Sequence, residues 1–193
     1  MSQLSVGQLR GLTVNNNVIS VPSGHKIYQS GSIVNLYTAR YSANWTTSST
    51  SYVDIPNLSI TLTPLSSSSA FFIILSTSRA STRASNLDFA SGMRVLRNNS
   101  DSVAINGTLD GSRQPVAMVF NGFSYNADHN PGGYSVSAVD YPATGSSLTY
   151  KVQAAVQSAS YPLTINGVNN DGNTTNIYHS RGQTSLTIME IGQ

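Results

Sequence analysis

The chain predicts an all-β domain, a β-sandwich or jelly roll of about ten strands, and three observations predict it. First, Ser, Thr and Asn supply about a third of the 193 residues. Their short polar side chains compete for backbone hydrogen bonds, which disfavours helix interiors and favours turns, while Thr is at home in strands. Second, the apolar residues fall in short runs, several alternating with period two. Gly, Pro, Asn and Ser clusters bound these runs, and none sustains a helical period. Third, only 9% of residues are charged while 39% are hydrophobic. The chain can therefore build a core, and uncharged polar groups must carry its solubility.

Residues 1–24 form an N-terminal arm in this reading, and residues 25–193 the domain. The arm carries two short extended segments. Leu4, Val6 and Leu9 precede Leu12 and Val14; a turn at Asn15–Asn17 leads to Val18, Ile19 and Val21, and Pro22-Ser23-Gly24 ends the stretch. It holds too little apolar mass to fold alone, so Leu4, Val6, Leu9, Leu12, Val14, Val18 and Ile19 are expected to pair with a neighbouring surface. From Lys26 on, strands are expected at Ile33–Tyr37, Tyr52–Ile55, Leu58–Leu62, Phe71–Leu75, Met93–Leu96 and Val103–Ile105. Val116–Phe120, Tyr134–Val139, Leu148–Ala154, Leu163–Ile165 and Leu186–Ile191 complete the series. The unbroken run Phe71-Phe72-Ile73-Ile74-Leu75 reads as a central strand buried on both faces. One helical turn fits near Leu87–Ala90.

Two connections are long for a compact domain, Asn121–Gly133 and Gly167–Gln183. Long ordered loops on β scaffolds often carry binding groups. Tyr125, His129, Tyr134, Tyr178, His179 and Arg181 are the candidate exposed binding groups. The single tryptophan, Trp45, is expected in the core or at a subunit interface.

Enzymatic and metal chemistry find no local support, so the chain is read as non-enzymatic, without cofactor or metal. No G-x-S-x-G elbow occurs, since Gly122-Phe123-Ser124-Tyr125-Asn126 fails at its last position. The three histidines, His25, His129 and His179, lie far apart, with no H-E-x-x-H spacing. Asn169–Asn173 looks faintly like a calcium loop, but position 178 is Tyr178 where an EF-hand needs glutamate. The eight acids sit singly, most beside turns, so no carboxylate pair for glycoside hydrolysis is visible. With no cysteine, disulfides, thiolate metal sites and a cysteine nucleophile are excluded. The net charge of +2 has no basic cluster behind it, which argues against nucleic acid. The longest apolar run, Ala70–Leu75, is far too short to span a membrane, and the N-terminus lacks the basic start and apolar block of a signal peptide. Asn-x-Ser/Thr triplets at Asn44, Asn57, Asn98, Asn106 and Asn173 arise at this Asn, Ser and Thr content by chance.

The phrases Trp45-Thr46-Thr47-Ser48-Ser49-Thr50-Ser51-Tyr52-Val53-Asp54-Ile55-Pro56-Asn57-Leu58-Ser59-Ile60, its continuation Thr61–Ser69, Thr149-Tyr150-Lys151-Val152-Gln153 and Ser185-Leu186-Thr187-Ile188-Met189-Glu190-Ile191 are distinctive. Together they resemble virion structural proteins of tailed bacteriophages, cyanophage-like, of the tail-fibre or minor structural type. The resemblance covers roughly residues 25–193, and the arm is similar to the short leaders of phage structural proteins. It implies a β-rich homotrimer in the virion, assembled in the host cytoplasm among other virion proteins of tail or capsid. Two outcomes fit. As a tail fibre or receptor-binding adhesin, the chain would touch host-surface glycan. As a capsid decoration protein, its arm would anchor it to the shell. A carbohydrate-active enzyme is the remote third.

Overall fold

The computed structural model describes residues 29–82, 90–100, 102–121, 132–168 and 172–193. The expected all-β sandwich is found, with ten strands in two sheets. They are β1 (Ile33–Tyr41), β2 (Trp45–Thr47), β3 (Val53–Leu62), β4 (Ala70–Thr82), β5 (Ala90–Arg97), β6 (Met118–Asn121), β7 (Gly132–Asp140), β8 (Leu148–Val156), β9 (Leu163–Ile165) and β10 (Thr184–Ile191). The antiparallel pairs nest inside one another: β1 with β10, β2 with β9, β3 with β8, β4 with β7, β5 with β6. The chain is thus one long antiparallel ribbon doubled back on itself. Rolling that ribbon brings β10 beside β4 and β8 beside β5. Sheet A then runs β1-β10-β4-β7, with β2 and β9 extending one end, and sheet B runs β3-β8-β5-β6. This nested pairing is the jelly-roll topology.

Period-two alternation explains which side chains meet between the sheets. Phe71, Ile73 and Leu75 of β4, Leu186 and Ile188 of β10, Met93 and Val95 of β5, and Tyr150 and Val152 of β8 are all fully buried. Two aromatic pairs stitch the layers. Phe71 meets Tyr150 with ring centroids 6.1 Å apart, and Phe120 meets Tyr134 edge-on at 4.8 Å. Such pairs contribute about 0.5–1.5 kcal/mol beyond the area they bury. Asp140 of β7 adds a polar tie. It accepts from the Tyr150 hydroxyl at 2.8 Å and pairs with Arg97 of β5 at 2.5 Å. Burial, reinforced by the Asp140 charge, holds the Tyr150 phenol well above its ordinary pKa.

Two asparagines complete gaps in the ladders. Asn166 sits between β9 and β10 in the left-handed region, at φ 62°. Its amide donates to the Tyr41 and Ala43 carbonyls at 2.8 and 3.1 Å and accepts from Thr184 Oγ1 at 2.8 Å, so it joins the break between β1 and β2 to the break beside it. β6 is too short to pair the whole of β5. There the Asn106 amide imitates a strand partner, accepting from Val95 N at 2.9 Å and donating to Val95 O at 2.6 Å.

Several expected elements differ. The two runs Tyr52–Ile55 and Leu58–Leu62 form one strand, β3. It bulges between Asp54 and Ser59, where Asn57 takes φ 58° and Pro56 is tolerated because β3 is an edge strand. Val103 and Ile105 are buried but lie in turns, since a core position does not require a ladder. β2 and a 3-10 turn at Ile177–His179 were not anticipated. Leu87–Asp88–Phe89 of the suggested helical turn lies outside the described residues, and Ala90 opens β5. Phe72 and Ile74 of β4 were expected to be buried. They alternate with the core residues and point out of the sandwich, where both are partly exposed.

Candidate functional site

The topology separates the two ends of the sandwich. At one end Ile33 pairs with Ile191, and Gly31 N donates to Gly192 O at 2.6 Å, so both ends of the described chain leave together. The connections β3–β4 and β7–β8 lie at this end; the β5–β6 connection starts here and runs back over sheet B, so that Gln114 and Val116 join Gly92 at the opposite end. At the other end, the loop end, β1, β4, β6 and β8 finish at Tyr41, Thr82, Asn121 and Val156, and β3, β5, β7 and β10 begin at Val53, Ala90, Gly132 and Thr184.

The loop end carries an open cleft of about 350 Å³ on the outer surface of sheet B. Its floor is made of small residues. Val119, Gly92 and Ala155 face one another across β6, β5 and β8. Tyr52 and Val116 form walls, and Thr50, Gln114 and Gln157 form a polar rim. A β-carbon at Gly92 would stand 3.1 Å from the Tyr52 hydroxyl and 3.2 Å from Val116 Cγ1, so glycine lets both side chains close in. The Arg94 guanidinium lies 4.0 Å from the centre of the Tyr52 ring, a cation–π contact.

A polar row continues from Arg94 across the sheet, because β5, β8 and β3 place Arg94, Gln153 and Asp54 in register. Arg94 donates to Gln153 Oε1 through Nε at 3.1 Å and Nη2 at 2.9 Å. Gln153 Nε2 donates to Asp54 Oδ1 at 2.6 Å, and Lys151 Nζ reaches Asp54 Oδ2 at 3.0 Å. Slight burial pushes the Asp54 carboxyl up, but the Gln153 and Lys151 hydrogen bonds and the Lys151 charge outweigh it and hold the carboxyl below its ordinary pKa. The row fixes side chains that would otherwise lose rotamer freedom on meeting a ligand.

The sequence-derived binding residues fare unevenly. Tyr134 was expected as an exposed group; it lies on β7, turned inward and partly buried against the core, because period two places it on the Phe120 side. His179 is half-buried and its Nδ1 accepts from Gly172 N at 2.9 Å, closing the 172–179 segment. Arg181 is exposed. Tyr178 lies in the 3-10 turn. Tyr125 and His129 lie outside the described residues, as do the arm residues Leu4, Val6, Leu9, Leu12, Val14, Val18 and Ile19. Trp45 packs partly buried against the core from β2. None of the described loop residues singled out from the sequence lines the cleft. Tyr52, Gly92, Arg94, Gln153 and Asp54 were missed as site residues. Their one sequence signal is alternation: Lys151 and Gln153 fall on one side of β8, and Arg94 on the matching side of β5.

Among the described residues no group of three or more His, Cys, Asp or Glu side chains converges to hold a metal. Among the described residues no helix is long and apolar enough to cross a membrane. No protein-family model matches the chain, and no curated protein matches it.

Proposed function

We propose that this chain is a non-enzymatic structural subunit of a phage virion, a tail-fibre or receptor-binding adhesin, that contacts host-surface glycan through the cleft on sheet B. The observation that carries the reading is position: the cleft opens at the end of the sandwich opposite the one from which the chain ends leave. A domain tethered to a particle by its N-terminal arm would then present the cleft outward. The chemistry suits a sugar. Tyr52, braced by Arg94 stacked on its ring, offers an aromatic wall, and Thr50, Gln114 and Gln157 offer hydroxyl and amide partners beside small floor residues. Single-site binding of this kind is weak, and display on a homotrimer would raise it by roughly 10²–10⁴ through avidity.

A glycan array probed with the multivalent protein tests the reading. Binding to surface polysaccharides of bacterial type is expected, and silence across the array at high valency would contradict it. Copy number per particle separates this placement from the capsid alternative: a few tens or fewer copies fit a tail protein, while hundreds would make the chain a decoration protein.

A further inference from the structure

The outer surface of sheet A is the opposite of that of sheet B. Leu36 of β1, Met189 of β10, Phe72 of β4 and Val139 of β7 stand in one continuous cross-strand row. Ile33 and Ile191 pair on its terminus side, and Ile74 follows on its loop side. Ile33 is 61% exposed and Leu36 63%. Beyond them the rows become Thr38, Thr187 and Ser137, then Arg40, Ser185, Ser76 and Ser135, so Arg40 at the far corner is the one charged side chain in these four rows. An apolar patch with an uncharged hydroxyl rim and almost no charge has the make-up of a protein interface centre.

We infer that this surface joins copies of this chain, packed side by side with their chain ends together. The inference rests on the assembly reading above and names the surface that assembly would use. Three observations favour a second copy as the occupant. Identical surfaces that meet must not repel themselves, and this one carries no charge until its Arg40 corner. Four strands of eight residues span roughly 19 by 27 Å, about 500 Å² in plan. Side-chain relief brings that to the order of the ~800 Å² each partner gives to a stable interface. The apolar rows lie toward the terminus end and the serine rows toward the loop end. With the whole faces overlapped, apolar meets apolar only when copies align with the same end together. That alignment gathers the ends of the described chains on one side and the clefts toward the other.

Light scattering on the full chain, without ligand, tests this. The wild type is expected to be a defined oligomer at micromolar concentration. Phe72→Glu and Leu36→Asp are expected to weaken association at least 100-fold and give monomers whose far-ultraviolet circular dichroism is unchanged. Leu36→Ser serves where a charge prevents folding, since Leu36 is mostly exposed and its loss leaves the core intact; a measurable shift toward monomer is expected. Ser59→Glu on the outer surface of sheet B should leave the oligomer as it is. A wild-type oligomer that survives all three sheet A variants would overturn the inference while leaving the assembly reading standing on another surface. So would dissociation by removal of residues 1–28 with the surface intact, or by Ser59→Glu. A monomeric wild type would overturn both.

Discussion

The two outer surfaces of the sandwich are built from the same kind of strand and differ in what their alternate residues carry. On sheet B, a row of Asp54, Gln153 and Arg94 leads to a ringed cleft, and its polar groups satisfy one another. On sheet A, the equivalent outward positions carry Leu36, Met189, Phe72 and Val139. A jelly roll needs only its inner sides to be apolar in order to fold. The outward positions are free to be assigned to partners, one by organised polar groups and the other by uncharged apolar area. The division follows the ends as well: the cleft lies toward the loops and the apolar row toward the chain ends.

If the surfaces are separate devices on one rigid core, a lesion inside the sandwich should harm both and a lesion on either should harm one. The largest effect is expected inside. Asp140→Ala leaves the Tyr150 hydroxyl without its acceptor and Arg97 without its carboxylate, both between the sheets. A loss of about 3 kcal/mol is expected by chemical denaturation, with association and glycan binding lost together as the protein unfolds. Either function surviving in a folded Asp140→Ala protein while the other fails would break the picture of a shared core.

Next in size is Gly92→Leu. A β-carbon there already crowds Tyr52 and Val116, and the added branch fills the cleft floor. Glycan affinity is expected to fall at least tenfold, about 1.4 kcal/mol. The oligomer read by light scattering should be unchanged. Binding unaffected by this substitution would move the site off sheet B.

Tyr150→Phe is expected to cost about 1 kcal/mol at neutral pH, the usual worth of one hydrogen bond. Its pH dependence sharpens the comparison, because it reports the interior alone. The Tyr150 phenol has a folded pKa raised above its ordinary value of 10.0, first by burial and then by Asp140. Its contribution is therefore complete below pH 10 and is lost as pH rises beyond, where the unfolded chain ionises and the folded one does not. Melting temperatures of wild type and variant should converge between pH 10 and 11.5. Parallel curves would show that Tyr150 ionises freely in the folded protein.

The smallest effect belongs to the sheet B surface. Asp54 has a lowered folded pKa, so its stabilisation is present above about pH 3.8 and fades as pH falls through the folded value. The Asp54 side chain is 54% exposed and solvent screens its pair with Lys151. A few tenths of a kcal/mol at most is expected. The acid side of the melting curve should be only slightly flatter in Asp54→Asn, and a loss above 1 kcal/mol would mean the row stabilises the fold rather than serving a ligand.

The fold was legible because strands announce themselves locally. Period two in Leu58–Leu62 and Leu148–Ala154, and turn residues at Ser66–Ser69, placed strands without knowledge of their partners. The jelly-roll order was not readable, since the pairing of β1 with β10 joins residues as distant in sequence as Ile33 and Ile191 and rests on register, which no window of sequence contains. The site was hidden for the same reason. Arg94, Gln153 and Asp54 are unremarkable singly and meet only when three strands align. Loop length drew attention instead to Tyr134, whose parity on β7 turns it inward. The run Phe71–Leu75 carried a message that the monomer only half explains: Phe71, Ile73 and Leu75 fill the core, while Phe72 and Ile74 are apolar on the outer side.

The most direct test of the division between the surfaces is a nuclear magnetic resonance titration of the folded chain with a saccharide drawn from the glycan array. Shifts are expected to concentrate at the amides of Tyr52, Gly92, Ala155 and Gln157 and at the Arg94 side chain, with Leu36, Phe72 and Met189 unmoved. Shifts centred on sheet A, or none at millimolar saccharide, would contradict it.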